Sequence, residues 1–148
     1  MPVRRLALVV VLGVLCATAP ADSKPPVSFV VVVNKSNSAR TISIVDLRRM
    51  FLKQSRMWPS AEPVVPVDWD ATSEVRQEFS RTVLNRTVRE MADFWVQQSL
   101  SQGLAPPSTQ KSAKAVLRFV SSVPGAISYV PTADVDGTVK VVTVSGLK

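Results

Sequence analysis

The stretch SFVVVVN, residues 28 to 34, is a continuous apolar, β-branched run closed by turn residues. A run without polar alternation has no face to give to water, so it predicts a strand buried on both sides, as in a parallel or mixed α/β sheet. The polar NKSNSAR that follows reads as a loop. Ser43 then opens a helix that runs to about Leu52: Asp46 stands three residues on, as in a capping box, and Ile42 and Leu47 are spaced as a hydrophobic staple. EPVVPVD, residues 62 to 68, predicts a second short strand, whose prolines favour an edge or an end because they cannot donate to a ladder.

From Thr72 or Ser73 the pattern changes to helical spacing, with Val75, Phe79 and Val83 on one face and Glu74 and Glu78 near the positive end. Thr87-Val88-Arg89-Glu90 is a full capping box, and Val88, Met91, Ala92 and Trp95 follow it at helical spacing, predicting a third helix to about Leu100. SQGLAPPSTQ reads as a loop. Ala113, Val116, Leu117 and Val120 mark a fourth helix, stopped by Pro124 and Gly125. AISYV is a third strand, DVDGT carries an Asp-Gly turn signal, and VKVVTV, residues 139 to 144, is a last strand. This order of strands and helices predicts a small three-layer α/β domain, a mixed sheet with helices on both faces.

The first residues do not belong to that pattern. MPVRRLALVVVLGVLCATAPAD has a basic start at Arg4 and Arg5, an apolar run from Leu6 to Leu15, and small residues after it, the three parts of a secretory signal. Ala19-Pro20-Ala21 satisfies the small-x-small rule and places cleavage after Ala21. The run is short for a membrane span, and no other segment of the chain is a transmembrane candidate. Cys16 would need a small residue before it to be a lipidation site, and Leu15 stands there. Residues 1 to 21 are therefore expected to be a signal peptide, and residues 22 to 148 a single periplasmic or secreted domain.

Composition narrows the chemistry. Without the leader the chain has neither cysteine nor histidine. That removes disulfides, thiol catalysis, Cys/His metal sites and the usual Ser-His-Asp arrangement, so the reading contains no catalytic residue, no metal ligand and no cofactor. The formal charge of +7 falls to +5 once Arg4 and Arg5 are removed. A modest positive field attracts anions or an anionic surface. Few aromatics and no recognition motif speak against nucleic acid.

Three stretches, VVVVNKSNSARTISIVDLRRMFLKQSRMWP, PVVPVDWDATSEVRQEF and PGAISYV, together resemble one lobe of the phosphate-binding proteins of bacterial ABC transporters, which have the type 2 periplasmic binding protein fold. That family reads N-x-x-N into a helix ending in IFLGK, then a Trp, a strand, GSGT opening a helix, and later PGAIGYV. The likeness covers roughly residues 28 to 144 and implies a single-lobe solute-binding domain for phosphate or another oxyanion. With Phe79 matched to the family's helix aromatic, the GSGT positions fall on Thr72-Ser73-Glu74-Val75, and the arginine that usually precedes them is replaced by Trp69 or lies elsewhere.

The ligand residues implied are thus Thr72, Ser73 and Glu74. Ser73 could give its hydroxyl and N–H to an anion, or it could simply cap the helix, and Thr72 has the same ambiguity. Glu74 works against an anion, because a carboxylate in the first turn already satisfies the dipole. Asp68 and Asp70, two apart, read as turn residues. Arg48, Arg49, Lys53 and Arg56 read as a solvated helix end or, alternatively, as a docking patch for an acidic partner or lipid. Trp58 and Trp95 belong to the core, whereas Trp69, after a strand end, is placed at the mouth of the site. Two functions remain open: an oxyanion-binding component, and a protein-interaction or sensory module that has lost the anion and docks a protein partner or forms a homo-oligomer. Export is expected to leave a protein whose intact mass begins at Asp22; a mass that retains Met1, or an acylated Cys16, would refute it.

Overall fold

A computed structural model describes residues 24–148; the leader and its cleavage point lie outside the described residues. The chain runs β1 (Phe29–Val33), β2 (Thr41–Ser43), α1 (Ile44–Phe51), β3 (Val65–Trp69), α2 (Glu74–Thr82), α3 (Val88–Gln102), β4 (Ser108–Gln110), α4 (Ala113–Ser122), β5 (Ala126–Pro131), a single 3-10 turn at Thr132–Asp134, and β6 (Lys140–Ser145). Six strands make one mixed sheet in the order β2-β6-β1-β5-β3-β4. β1, a phenylalanine followed by four valines, lies in its middle, antiparallel to both neighbours, with Val31, Val32 and Val33 fully buried. β3 runs parallel to β5 and β4, and β2 parallel to β6.

The crossover from β3 to β4 moves outward along the sheet, and the one from β4 back to β5 moves inward. Right-handed connection in both cases puts α2 on one face and α4 on the other. The aromatic core marks the first face: Phe51 of α1, Phe79 of α2 and Tyr129 of β5 meet there, with Phe79 stacked on Tyr129 at 3.7 Å between ring centroids. The helix starts follow the capping logic of the sequence. Ser43 accepts from Asp46 N–H at 3.0 Å, Ser112 from Ala115 N–H at 3.2 Å, and Thr87 and Glu90 form the reciprocal box.

Four expectations change. β4 forms inside a segment that read as a loop, and β2 forms just after one, on residues read as the entry to α1; each has three residues at a sheet edge and too little length for a period-two signal. The second strand begins at Val65, and it is not an edge strand. Its Pro66 is tolerated because β4 pairs only with Val67, Asp68 and Trp69, so that at Pro66 the strand has β5 on one side alone. Asp68 is a buried strand residue rather than a turn residue, and Trp69 is buried rather than at a mouth, its indole N–H donating to the Tyr129 carbonyl at 2.7 Å. Trp58 and Trp95 are buried as the spacing suggested.

Gly125 is where two segments touch backbone to backbone. Its carbonyl accepts from Val65 N–H at 2.9 Å and from the Trp58 indole at 3.0 Å, and a Cβ added to it would sit 1.9 Å from the Pro63 carbonyl oxygen. Gly125→Ala must therefore move backbone rather than a flexible side chain. It is expected to cost about 3 kcal/mol of stability, read from the denaturant midpoint.

Candidate functional site

Because β3, β4 and β5 run the same way, their carboxyl ends share one edge of the sheet, and α2 and α4 both begin there. That edge is where open α/β sheets place ligands. The sequence-implied residues are brought together at it. Asp70 N–H donates to the Gln110 carbonyl at 2.9 Å, stitching the end of β3 to β4. Its side chain then closes a tight turn: Asp70 Oδ1 accepts from Thr72 N–H at 3.0 Å and from the Thr72 hydroxyl at 2.6 Å. The Thr72 hydroxyl, then its N–H, and more distantly the Lys111 charge hold the Asp70 carboxyl below the usual range, so it is ionised at neutral pH.

Ser73 occupies the N-cap position with extended backbone, φ −70° and ψ 132°, yet its hydroxyl makes no capping bond. The first-turn N–H groups of α2 therefore lack the usual side-chain partner, in contrast to Ser43, Thr87 and Ser112 at the other helix starts. Glu74, the next residue, is exposed and turned outward, both carboxylate oxygens taking the Lys24 ammonium at 2.7 and 2.8 Å. Val75, which takes the last motif position, is 3 % exposed and belongs to the core.

Directly beneath this turn lies a buried polar cluster that the motif does not contain. Asp68 Oδ2 pairs with the Arg76 guanidinium, and Asp68 Oδ1 accepts from the Tyr129 hydroxyl and, at 2.9 Å, from Trp69 N–H. Arg76 also reaches the Trp69 carbonyl at 3.5 Å, while its buried Nε has no partner. A charge inside the core is tolerable only with this degree of pairing. Burial, and after it the Asp68 charge, raises the Tyr129 hydroxyl well above the 10.0 of a free tyrosine.

Asp68 and Asp70 thus do not act together: one is buried in the ion pair and the other closes the surface turn. Arg76 and Tyr129 are the residues that sequence reasoning passed over. A signal for Arg76 existed, since it lies three residues before Phe79 and four before Ser80, on the buried face of α2, one strand-to-helix turn after an acid in a fully apolar strand. In chemical terms the site offers a helix start with open donors, one uncommitted hydroxyl and a guanidinium behind them, flanked by the carboxylates of Asp70 and Glu74.

No family model and no curated protein sequence matches the chain. Solved structures do. An ABC-type phosphate transport receptor from Vibrio cholerae superposes with a TM-score of 0.65 at 16% identity, over 81% of this chain and 47% of its own. A protein assigned as a phosphate ABC transporter substrate-binding protein from Clostridium perfringens, with phosphate bound, gives 0.64 at 18% identity over 81% and 46%. PstS from Borrelia burgdorferi gives 0.63 at 12% identity over 82% and 49%. The fold is therefore that of one lobe of these binding proteins, and the chain spans about half the length of the structures it matches.

The buried cluster yields a pH expectation. A tyrosine whose folded value lies above its unfolded one contributes stability that is whole below pH 10 and is lost as the pH rises toward the folded value. Stability should fall on the alkaline side. Tyr129→Phe should flatten that fall while costing about 1–3 kcal/mol at neutral pH, because Asp68 loses a donor. Arg76→Met, which strands the buried Asp68, should cost about 3–5 kcal/mol, and chemical denaturation across pH checks both.

Proposed function

We propose that this chain is an exported, solute-binding-like lobe that offers the start of α2 to a small oxyanion, phosphate being the first choice. The observation that carries this reading is Ser73. Its hydroxyl stands uncommitted at an N-cap whose donors have no side-chain partner, with the Arg76 guanidinium packed below the same turn. Backbone N–H groups at a helix start, a free hydroxyl and the positive dipole end are what an oxyanion needs, while the buried Arg76 charge is neutralised by Asp68. The similar structures carry transport rather than catalytic names, and one of them holds phosphate, which supports the ligand class.

Binding by this lobe alone is weak in this reading, for two reasons. Asp70 and Glu74 place two negative charges beside the helix start, only partly offset by Lys24 and Lys111. The Thr72 hydroxyl, which the motif would give to the ligand, is spent on Asp70. These same features favour the second reading, a periplasmic or secreted interaction or sensory module that has lost the anion and meets a protein partner or a second copy at this edge.

Titration calorimetry with inorganic phosphate separates the two. Glu74→Gln removes the repulsive carboxylate without disturbing the helix and frees the Lys24 ammonium, so phosphate affinity should rise about five- to tenfold over a weak natural value. Ser73→Ala should lower it. Restoring the threonine of the motif at Val75 is a poorer test, because the added hydroxyl would enter the core. No heat with either the natural protein or Glu74→Gln would leave the interaction module standing. Tight binding indifferent to both substitutions would move the site elsewhere.

A further inference from the structure

The opposite end of the molecule, where α1 and α2 finish, carries a second surface. Arg48, Arg49, Lys53 and Arg56 come from the end of α1 and the loop after it, and the fold adds Arg86 from the loop after α2. Contacts tie these residues into one region. Arg48 donates to the Val83 carbonyl at 2.7 Å, Lys53 reaches the Pro106 carbonyl at 3.4 Å, and Arg86 lies 4.8 Å over the Phe94 ring. The acids in the same segments are Glu62, half-buried, Glu90, whose carboxylate is taken by Thr87, and the exposed Asp93 next to Phe94. The balance is positive.

Lys53 is the informative member. It closes the end of α1 in the left-handed conformation, φ 56°, donating to the Met50 carbonyl at 3.1 Å while Gln54 N–H reaches back to Arg49 at 2.8 Å. This is the position that helices give to glycine, and a lysine there carries backbone strain. Lys53 shares its positive φ with Ala61 and Asn85, and its half-buried side chain carries the ammonium to the surface beside the Pro106 carbonyl.

We propose that this basic end is a docking surface for an anionic phospholipid membrane. Five cations spread over two helix ends match a flat array of phosphates, each near the surface adding to the attraction. Met57 lines a groove with Ser55, Trp58 and Pro59, and none of the five cations lines it, so their charge lies on the surface outside that groove. Met57, 52 % exposed beside Arg56, supplies an apolar side chain able to enter the acyl boundary. Docked in this way, the start of α2 points away from the membrane.

The test is cosedimentation of the leaderless protein with vesicles of phosphatidylcholine, with and without phosphatidylglycerol. The protein should pellet with the anionic vesicles only and be released by high salt. Arg49→Gln and Arg56→Gln should each weaken binding about fivefold. Lys53→Gly should weaken it likewise while raising the melting temperature, a combination that a purely structural lysine would not produce. Lys114→Gln, at the other end of the fold, should bind unchanged. Equal binding to neutral vesicles, no pelleting with anionic ones, full binding by Lys53→Gly, or capture by polyglutamate in place of vesicles would overturn the proposal, the last by assigning the surface to an acidic protein.

Discussion

The pair between Asp68 and Arg76 fixes the geometry on which the rest of this lobe depends. Asp68 ends a strand packed on both faces, Arg76 sits in the first turn of the next helix, and Tyr129 reaches the same carboxylate from the neighbouring strand. Three elements are therefore held at one point, with Phe79 stacked on Tyr129 and the Trp69 indole bonded to the Tyr129 carbonyl around it. A hydrophobic trio of the same volume could have filled this space at less desolvation cost. What the ionic arrangement adds is direction. An ion pair on one carboxylate oxygen with two hydrogen bonds on the other admits few alternative registers between β3 and α2, whereas apolar contacts tolerate sliding.

That constraint explains the state of the helix start above it. With α2 anchored through Arg76, Ser73 is not needed to hold the helix in place, and its hydroxyl is left free, while Ser43, Thr87 and Ser112 cap their own helices. The turn from β3 into α2 is closed independently by Asp70 and Thr72. The turn therefore keeps its shape without engaging the Ser73 hydroxyl, and it also carries the carboxylates of Asp70 and Glu74.

How far the sequence made this legible depends on length and on partners. The valine run of β1, the N-cap at Ser43, the capping box at Thr87 and the apolar stripe of α2 are local patterns, and the structure places each where its pattern put it. β2 and β4 were invisible because three residues at an edge exist only through pairing with β6 and β3, which no local signal encodes. Asp68 misled for a related reason. A short acidic motif before a helix is usually a turn, and only its partners, eight residues and sixty-one residues away, make it a core residue. Trp69 reads as a mouth residue if Asp68 does, so the two errors are one.

The two ends of the molecule differ through one architectural fact. α1, α2 and α4 begin at the carboxyl edge of the sheet, whereas α3 starts from the end where α2 finishes, so the dipoles of α1, α2 and α4 run in one sense. The positive ends gather where α2 and α4 begin, and there the sequence places Asp70, Glu74 and one uncommitted serine. The negative ends gather where α1 and α2 finish, and there it places Arg48, Arg49, Lys53 and Arg86. Dipole compensation alone would account for an arginine in the last turn of a helix. It does not account for a lysine held at positive φ one residue beyond the cap, where a glycine would satisfy the backbone without strain and the helix end is already closed by main-chain bonds. The positive surface at that end faces away from the edge where α2 and α4 begin.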